Sequence, residues 1–115
     1  MNEDVDMEIA WLDNAAVLAF KATSMSDTEK IATAARQIEK FIEENLPKKI
    51  VFDFAQVKFF SSQVLGLLLS IRAKLQAYDG EVVISAINPQ LHRVFKITNL
   101  DKIFKFFPDR ESAVG

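Results

Sequence analysis

Short apolar runs and longer stretches with apolar residues at helical spacing alternate along this chain. Five of the short runs predict strands, and they lie at residues 8–12, 15–20, 50–54, 81–85 and 103–107. Asp13-Asn14 separates the first two runs and favours a tight hairpin turn. The run at 50–54 is almost continuously apolar, which is typical of a strand that is covered on both faces.

Three segments between these strands are predicted to be helices. The first begins at Ser26-Asp-Thr-Glu29, where Ser26 is expected to cap the first turn and Glu29 to reach back to it, and Pro47 ends it. Its inner face is predicted to consist of Ile31, Ala34, Ala35, Ile38, Ile42 and Leu46. The second helix is expected from Ser62 to Tyr78, with an inner stripe of Val64, Leu68, Ile71, Leu75 and Tyr78. The third opens at Asn88-Pro89, and the polar tail is expected to add one more helical turn.

The predicted order, β-β-α-β-α-β-α-β, indicates an α/β fold. Strands that alternate with helices call for a mostly parallel sheet with right-handed crossovers. We expect one domain over residues 1–115, since the chain has no internal repeat and no long linker. The helices that begin near Ser26 and Ser62 should share one face of the sheet, over a core that includes Phe52, Phe54, Leu68 and Val83.

Composition excludes several classes of function. The chain has no cysteine and one histidine, His92, so thiolate chemistry is absent and we expect no metal site. Its 14 basic and 16 acidic side chains are mixed along the sequence, which argues against nucleic acid or anionic lipid as a partner. The acidic start and the short apolar run at 64–69 predict a cytoplasmic protein with no direct membrane insertion.

Among enzyme classes, a serine hydrolase is the one whose catalytic residue types this sequence contains. Ser61 or Ser62 could supply the nucleophile, with His92 and Asp53 as its partners. The chain lacks the Gly-x-Ser-x-Gly elbow, and the inward residues of the third helix are expected to turn His92 toward solvent. The three glycines are scattered, so there is no phosphate-binding loop. We therefore expect no enzyme activity, no catalytic residues and no cofactor.

The segment from 51 to 66 carries the strongest functional signal. A buried strand leads through a short turn to Ser61 and Ser62, two adjacent hydroxyls at a helix start. Ordinary capping would account for one of them. The helix that follows is apolar almost all the way round, so Leu65, Leu67 or Leu69 could remain exposed as a docking surface. Deeper burial of the whole helix is equally compatible with the periodicity.

This segment resembles the STAS family, whose bacterial members include anti-sigma factor antagonists. The family pattern is an apolar strand that ends in Asp, followed by Asp-Ser-Ser/Thr-Gly-Leu-Gly, and the residues in register are Asp53, Val57, Phe59-Phe60, Ser62, Leu65 and Gly66. Ser61 stands where the family usually has Asp. Residues 79–84 and 88–104 are also similar to later segments of the family pattern.

The resemblance implies a mixed four- to five-stranded β-sheet with helices mainly on one face. It also implies a non-enzymatic regulator that binds an anti-sigma factor serine kinase and is switched by phosphorylation at Ser62, with a cognate phosphatase to reset it. The partner-binding residues would be Ser61, Ser62, Gln63, Leu65 and Leu67. The alternative is an unphosphorylated STAS scaffold, or a subunit of a signalling assembly or a lipid-transport complex.

Overall fold

The computed structural model describes residues 7–115. Its strands are β1 (Met7–Leu12), β2 (Ala15–Phe20), β3 (Ser24–Met25), β4 (Lys49–Asp53), β5 (Phe59–Phe60), β6 (Glu81–Ser85) and β7 (Lys105–Phe107). Its helices are α1 (Thr28–Asn45), α2 (Ser62–Gln76), α3 (Pro89–Ile97) and α4 (Arg110–Val114), and a 3-10 turn spans Leu100–Lys102.

Five strands form the main sheet, in the order β1-β2-β4-β6-β7. β1 is antiparallel to β2, and the other three pairings are parallel. This arrangement confirms the predicted mixed α/β sheet. The two-residue strands β3 and β5 pair in parallel as a second small sheet that the sequence pattern did not predict.

The β1–β2 hairpin forms where the sequence predicts it. Leu12 pairs with Ala15, so Asp13 and Asn14 alone make the turn. Asp13 has a φ of 57°, a left-handed conformation that Asp and Asn tolerate better than most residues.

The ends of α1 differ from the prediction. Asp27, not Ser26, is the N-cap, because its carboxylate accepts hydrogen bonds from the backbone N–H groups of Glu29 and Lys30 at 3.0 and 3.1 Å. At the other end, Leu46 adopts a left-handed conformation with a φ of 44° and lies exposed rather than on the inner face. Leaving the helical conformation at this position turns its side chain away from the core.

The main sheet has a different core on each face. On the face covered by α1, α2 and α3, alternate strand residues such as Leu18, Phe52 and Ile84 join buried helix residues such as Leu68. On the opposite face, Val17, Val51 and Val83 pack beneath Ala113 of α4. Val83 is therefore buried as predicted, although it belongs to the α4 side because strand side chains alternate between faces.

Candidate functional site

The N-terminus of α2 is held in place by the small β3–β5 sheet. β4 leads through a turn to β5, and α2 begins directly after it. The Ser61 N–H donates to the Met25 carbonyl at 3.0 Å, and the Gln63 side-chain amide donates to the Thr28 carbonyl at 3.3 Å. These contacts bring the N-terminal ends of α1 and α2 together at one end of the domain.

The two adjacent serines have different environments. Ser61 is the N-cap of α2 by backbone conformation, yet its side chain makes no capping hydrogen bond. Its Oγ is buried and has no hydrogen-bond partner among residues 7–115. Ser62 is the first residue of the helix and is exposed. Of the two hydroxyls, only that of Ser62 is open to another protein.

Of the two outcomes that the periodicity left open for Leu65 and Leu67, exposure and deeper burial, the structure shows burial, so their placement does not support the implied role of either residue in partner binding. Their exposed fractions are 8% and 6%, and both belong to the main core together with Met25 and Phe60 of the small sheet. α1 packs against α2 and covers a flank of the helix that periodicity alone left open. Leu69 is 37% exposed, as the prediction allowed.

The surface of α2 that does remain open begins at Ser62. Ser62, Gly66 and Leu69 lie four and three residues apart, so they share one face of the helix. Phe59 of β5 is 55% exposed just before the helix. A Cβ atom built on Gly66 would meet nothing within 4 Å, so the glycine is not needed to avoid a clash. Its effect is that no side chain protrudes from the helix at this position. We call these four residues the α2 face.

Sequence reasoning missed Phe59 and Gly66 as surface features. Positions 59 and 60 are both Phe, so the sequence did not show that the first is exposed and the second buried. A Gly in the middle of a helix lowers the stability of the fold by about 0.5–1 kcal/mol relative to Ala. Its presence at position 66 could therefore have indicated a role other than helix stability.

Asp53 lies on the face of the sheet opposite α2. Its Oδ2 accepts a hydrogen bond at 2.8 Å from Nε of Arg110 in α4, and its Oδ1 accepts one at 2.9 Å from the Ala55 N–H. Its strand neighbour Ser85 is fully buried, with an Oγ that has no partner within the described part of the chain. This cluster fastens α4 to the end of β4, where the connection to Ser62 begins.

The structure does not assemble the Ser-His-Asp set that the sequence offered. Asp53 is engaged by Arg110 on the α4 side, and no hydrogen bond within residues 7–115 joins His92 to Asp53, Ser61 or Ser62. His92 is also not the freely exposed side chain that was predicted. It is half-buried, with its ring centre 4.5 Å from that of Phe106, because Phe106 of β7 packs against α3.

Residues 7–115 hold no group of three or more His, Asp or Glu side chains placed to bind a metal ion. Within the same range, none of the helices combines the length and the apolar character that crossing a membrane requires.

The model of the STAS domain family matches residues 9–113 of this chain. The anti-sigma F factor antagonist of Paenibacillus polymyxa is 23% identical over 114 residues, which cover 99% of this chain and 94% of that protein. A protein of Pseudomonas aeruginosa described as containing a STAS domain is 24% identical over 59 residues, which cover 51% of this chain and 58% of its own length.

Solved structures show the same fold. The anti-sigma factor antagonist SpoIIAA in its unphosphorylated form superimposes with a TM-score of 0.83 at 18% identity, over 94% of this chain and 92% of SpoIIAA. A STAS domain protein from Planctomyces limnophilus gives a TM-score of 0.85 at 18% identity, over 94% of each chain. The chain belongs to the STAS domain family, and it is similar to the anti-sigma factor antagonists within it.

Proposed function

We propose that this protein is a non-enzymatic cytoplasmic regulator that binds an anti-sigma factor serine kinase through the α2 face. Phosphorylation of Ser62 by the kinase would end the interaction, and a cognate phosphatase would restore it. The observation that carries the proposal is the exposure of Ser62 at the first position of α2, with Phe59 exposed three residues before it and Leu69 exposed two turns further along the same helix face.

The environment of Ser62 favours a phosphate within the folded domain. A phosphoserine carries about −1.5 to −2 charges at neutral pH. The first-turn amides and the positive end of the dipole of α2 stabilise an anion at this position. Because Ser61 replaces the family's usual Asp, no carboxylate immediately precedes the phosphate. We therefore expect phosphorylation to leave the fold almost unchanged.

The same phosphate would oppose docking. Phe59 is 55% exposed and Leu69 is 37% exposed, so a partner that covers the α2 face would bury apolar surface on either side of Ser62. Burying a dianion there without a cation opposite it costs more free energy than the apolar surface contributes. A single hydroxyl would then decide between the bound and the free state.

A relative supports this mode of regulation. SpoIIAA has been solved in an unphosphorylated form and in a phosphorylated form, and the phosphorylated form superimposes on this chain with a TM-score of 0.73. By register, Ser62 occupies the serine of the family pattern.

Affinity capture from the native cell, read by mass spectrometry for partners and for phosphate on Ser62, is the first test. The captured partner is then titrated with three serine variants. Ser62→Ala should bind and resist the kinase, Ser62→Asp should lose binding, and Ser61→Ala should bind and remain switchable. Equal binding by Ser62→Asp and wild type would refute the switch and favour the unphosphorylated scaffold.

Gly66 provides a test of the surface that does not involve charge. Gly66→Gln adds a side chain into open space on the α2 face, so it should weaken partner binding without destabilising the fold. Ala77→Gln is the matched control, since Ala77 is exposed at the C-terminal end of the same helix, about 16 Å along the axis from Gly66 at 1.5 Å per residue. If the two variants bind the partner equally well, the α2 face is not the docking surface.

A further inference from the structure

β1 is an edge strand of the main sheet, and within residues 7–115 no strand pairs with its outer side. The two-residue turn makes Leu12 and Ala15 a hydrogen-bonded pair, and such pairs alternate with non-bonded pairs along an antiparallel ladder. The backbone groups that point away from β2 are therefore those of Met7, Ile9 and Trp11. These outward N–H and C=O groups are a template for one more strand.

The side chains of the same three residues form an apolar row on the face of the sheet that carries α1. Their partners in β2 belong to the main core, and Met7 packs against that core. Ile9 is 38% exposed and Trp11 is 51% exposed, although the Trp11 ring lies 5.7 Å from that of Phe41 in α1. Edge strands are usually protected by lysine, proline or a bulge, and residues 7–12 have none of these. The edge therefore combines open backbone groups with exposed apolar side chains.

The backbone of this edge is complementary to itself about a two-fold axis at Ile9. In an antiparallel pair, a residue whose backbone groups point outward must face another such residue. An axis at Ile9 places Ile9 opposite its own copy and Trp11 opposite Met7 of the second copy. The three pairs then exchange about six backbone hydrogen bonds, and every paired side chain on the α1 side is apolar.

The charges of the edge favour the same register. With the axis at Ile9, Glu8 lies opposite Ala10 of the second copy, and Lys21 of its own copy already pairs with it at 3.3 Å. An axis at Glu8 would place two carboxylates directly opposite each other, which is destabilising. An axis at Ala10 would place Met7 opposite the hairpin turn. The register centred on Ile9 therefore uses the whole strand without opposing like charges.

We propose that this chain forms a two-fold dimer through β1, with a second copy as the occupant of the edge. The two five-stranded sheets join edge to edge, and Ile9 and Trp11 bury their exposed apolar surface against the second copy. The interface is small, so we expect a weak dimer with a dissociation constant on the order of 100 µM. Because the α2 face is not part of β1, the dimer presents two such faces, and a partner with two sites binds it with added avidity.

The test uses the axis itself, which places position 9 opposite position 9 of the second copy. Ile9→Lys and Ile9→Glu should each associate at least about tenfold more weakly than wild type, because like charges then face each other. An equimolar mixture of the two variants should associate again, as a heterodimer. Sedimentation equilibrium of the whole chain, from about 10 µM to about 1 mM, measures this. Ile97→Lys is the matched control, since Ile97 is 74% exposed in α3 and its replacement should leave association unchanged.

A wild-type chain that remains monomeric at about 1 mM would overturn the proposal. Single variants that associate as strongly as wild type, or a mixture that associates no better than either variant, would also overturn it. If a variant fails to fold, amide hydrogen exchange of wild type replaces it: exchange at Ile9 and Trp11 should slow as concentration rises, and equal rates would count against the dimer. None of these results bears on Ser62, whose variants are read through the affinity for the captured partner.

Discussion

Arg110→Gln removes the cation that faces a nearly buried carboxylate, and we expect it to destabilise the fold. Asp53 is 4% exposed and accepts from Arg110 Nε at 2.8 Å. Removing one partner of a fully buried ion pair costs about 3–5 kcal/mol. The side chain of Arg110 is 32% exposed, and the Ala55 N–H still satisfies the other oxygen of Asp53. We therefore expect a smaller loss, of about 1–3 kcal/mol, in the free energy of unfolding.

Urea unfolding of wild type and variant measures this loss. An equal dependence of the unfolding free energy on urea concentration in both proteins would show that the same transition is being compared. Asp53→Asn in the Arg110→Gln background should recover part of it, because the uncompensated charge is then gone. Glu8→Gln is the control: it breaks a surface pair with Lys21 at 3.3 Å and should cost no more than about 1 kcal/mol. If Arg110→Gln costs no more than this control, the Asp53–Arg110 pair does not fasten α4 to the sheet.

Three further changes test the core, a cap and the titration of a carboxylate. Leu68→Ala should cost about 2–5 kcal/mol in chemical denaturation, because Leu68 is fully buried, and a shift near zero would refute its placement. Asn88→Ala should cost about 1–2 kcal/mol in thermal unfolding, since it removes the acceptor of the Leu91 N–H, and an unchanged Tm would contradict this cap. The hydrogen bond from the Ser112 N–H holds the pKa of Asp109 below its usual 3.8. The ionised carboxylate therefore stabilises the fold above pH 3.8, and this stabilisation is lost as pH falls through the pKa of Asp109 in the folded state. Asp109→Asn should thus be less stable than wild type at pH 6 and match it near pH 2, and a gap that persists in acid would refute the assignment.

The elements with strong local signals were predictable from sequence. The Asp13-Asn14 hairpin, the strand at 81–85 and the Asn88 cap each depend on neighbours within a few residues, and the structure confirms all three. The choice between Ser26 and Asp27 as cap of α1 was not predictable, because both side chains can accept from first-turn amides.

Features that depend on tertiary packing were not predictable. Leu65 and Leu67 are buried in a core that they share with residues of a small sheet, and the strands of that sheet, two residues long, are too short to leave a periodic signal. His92 is half-buried rather than exposed because Phe106, which comes from the last strand, packs against it. Asp53 and Arg110 are 57 residues apart, and nothing local indicates that they pair. For Ser62, periodicity predicted the position at the start of α2, and the structure adds its exposure.

A phosphate on Ser62 is expected to switch partner binding while the fold stays intact. This expectation is tested by comparing the captured partner's affinity for the unmodified chain and for a chain carrying phosphoserine at position 62, alongside the melting temperature of each. We predict affinity at least about 100-fold lower for the phosphorylated chain, since docking on the α2 face would bury the charge, with a nearly equal melting temperature. Equal affinity for the two forms would show that Ser62 does not control binding.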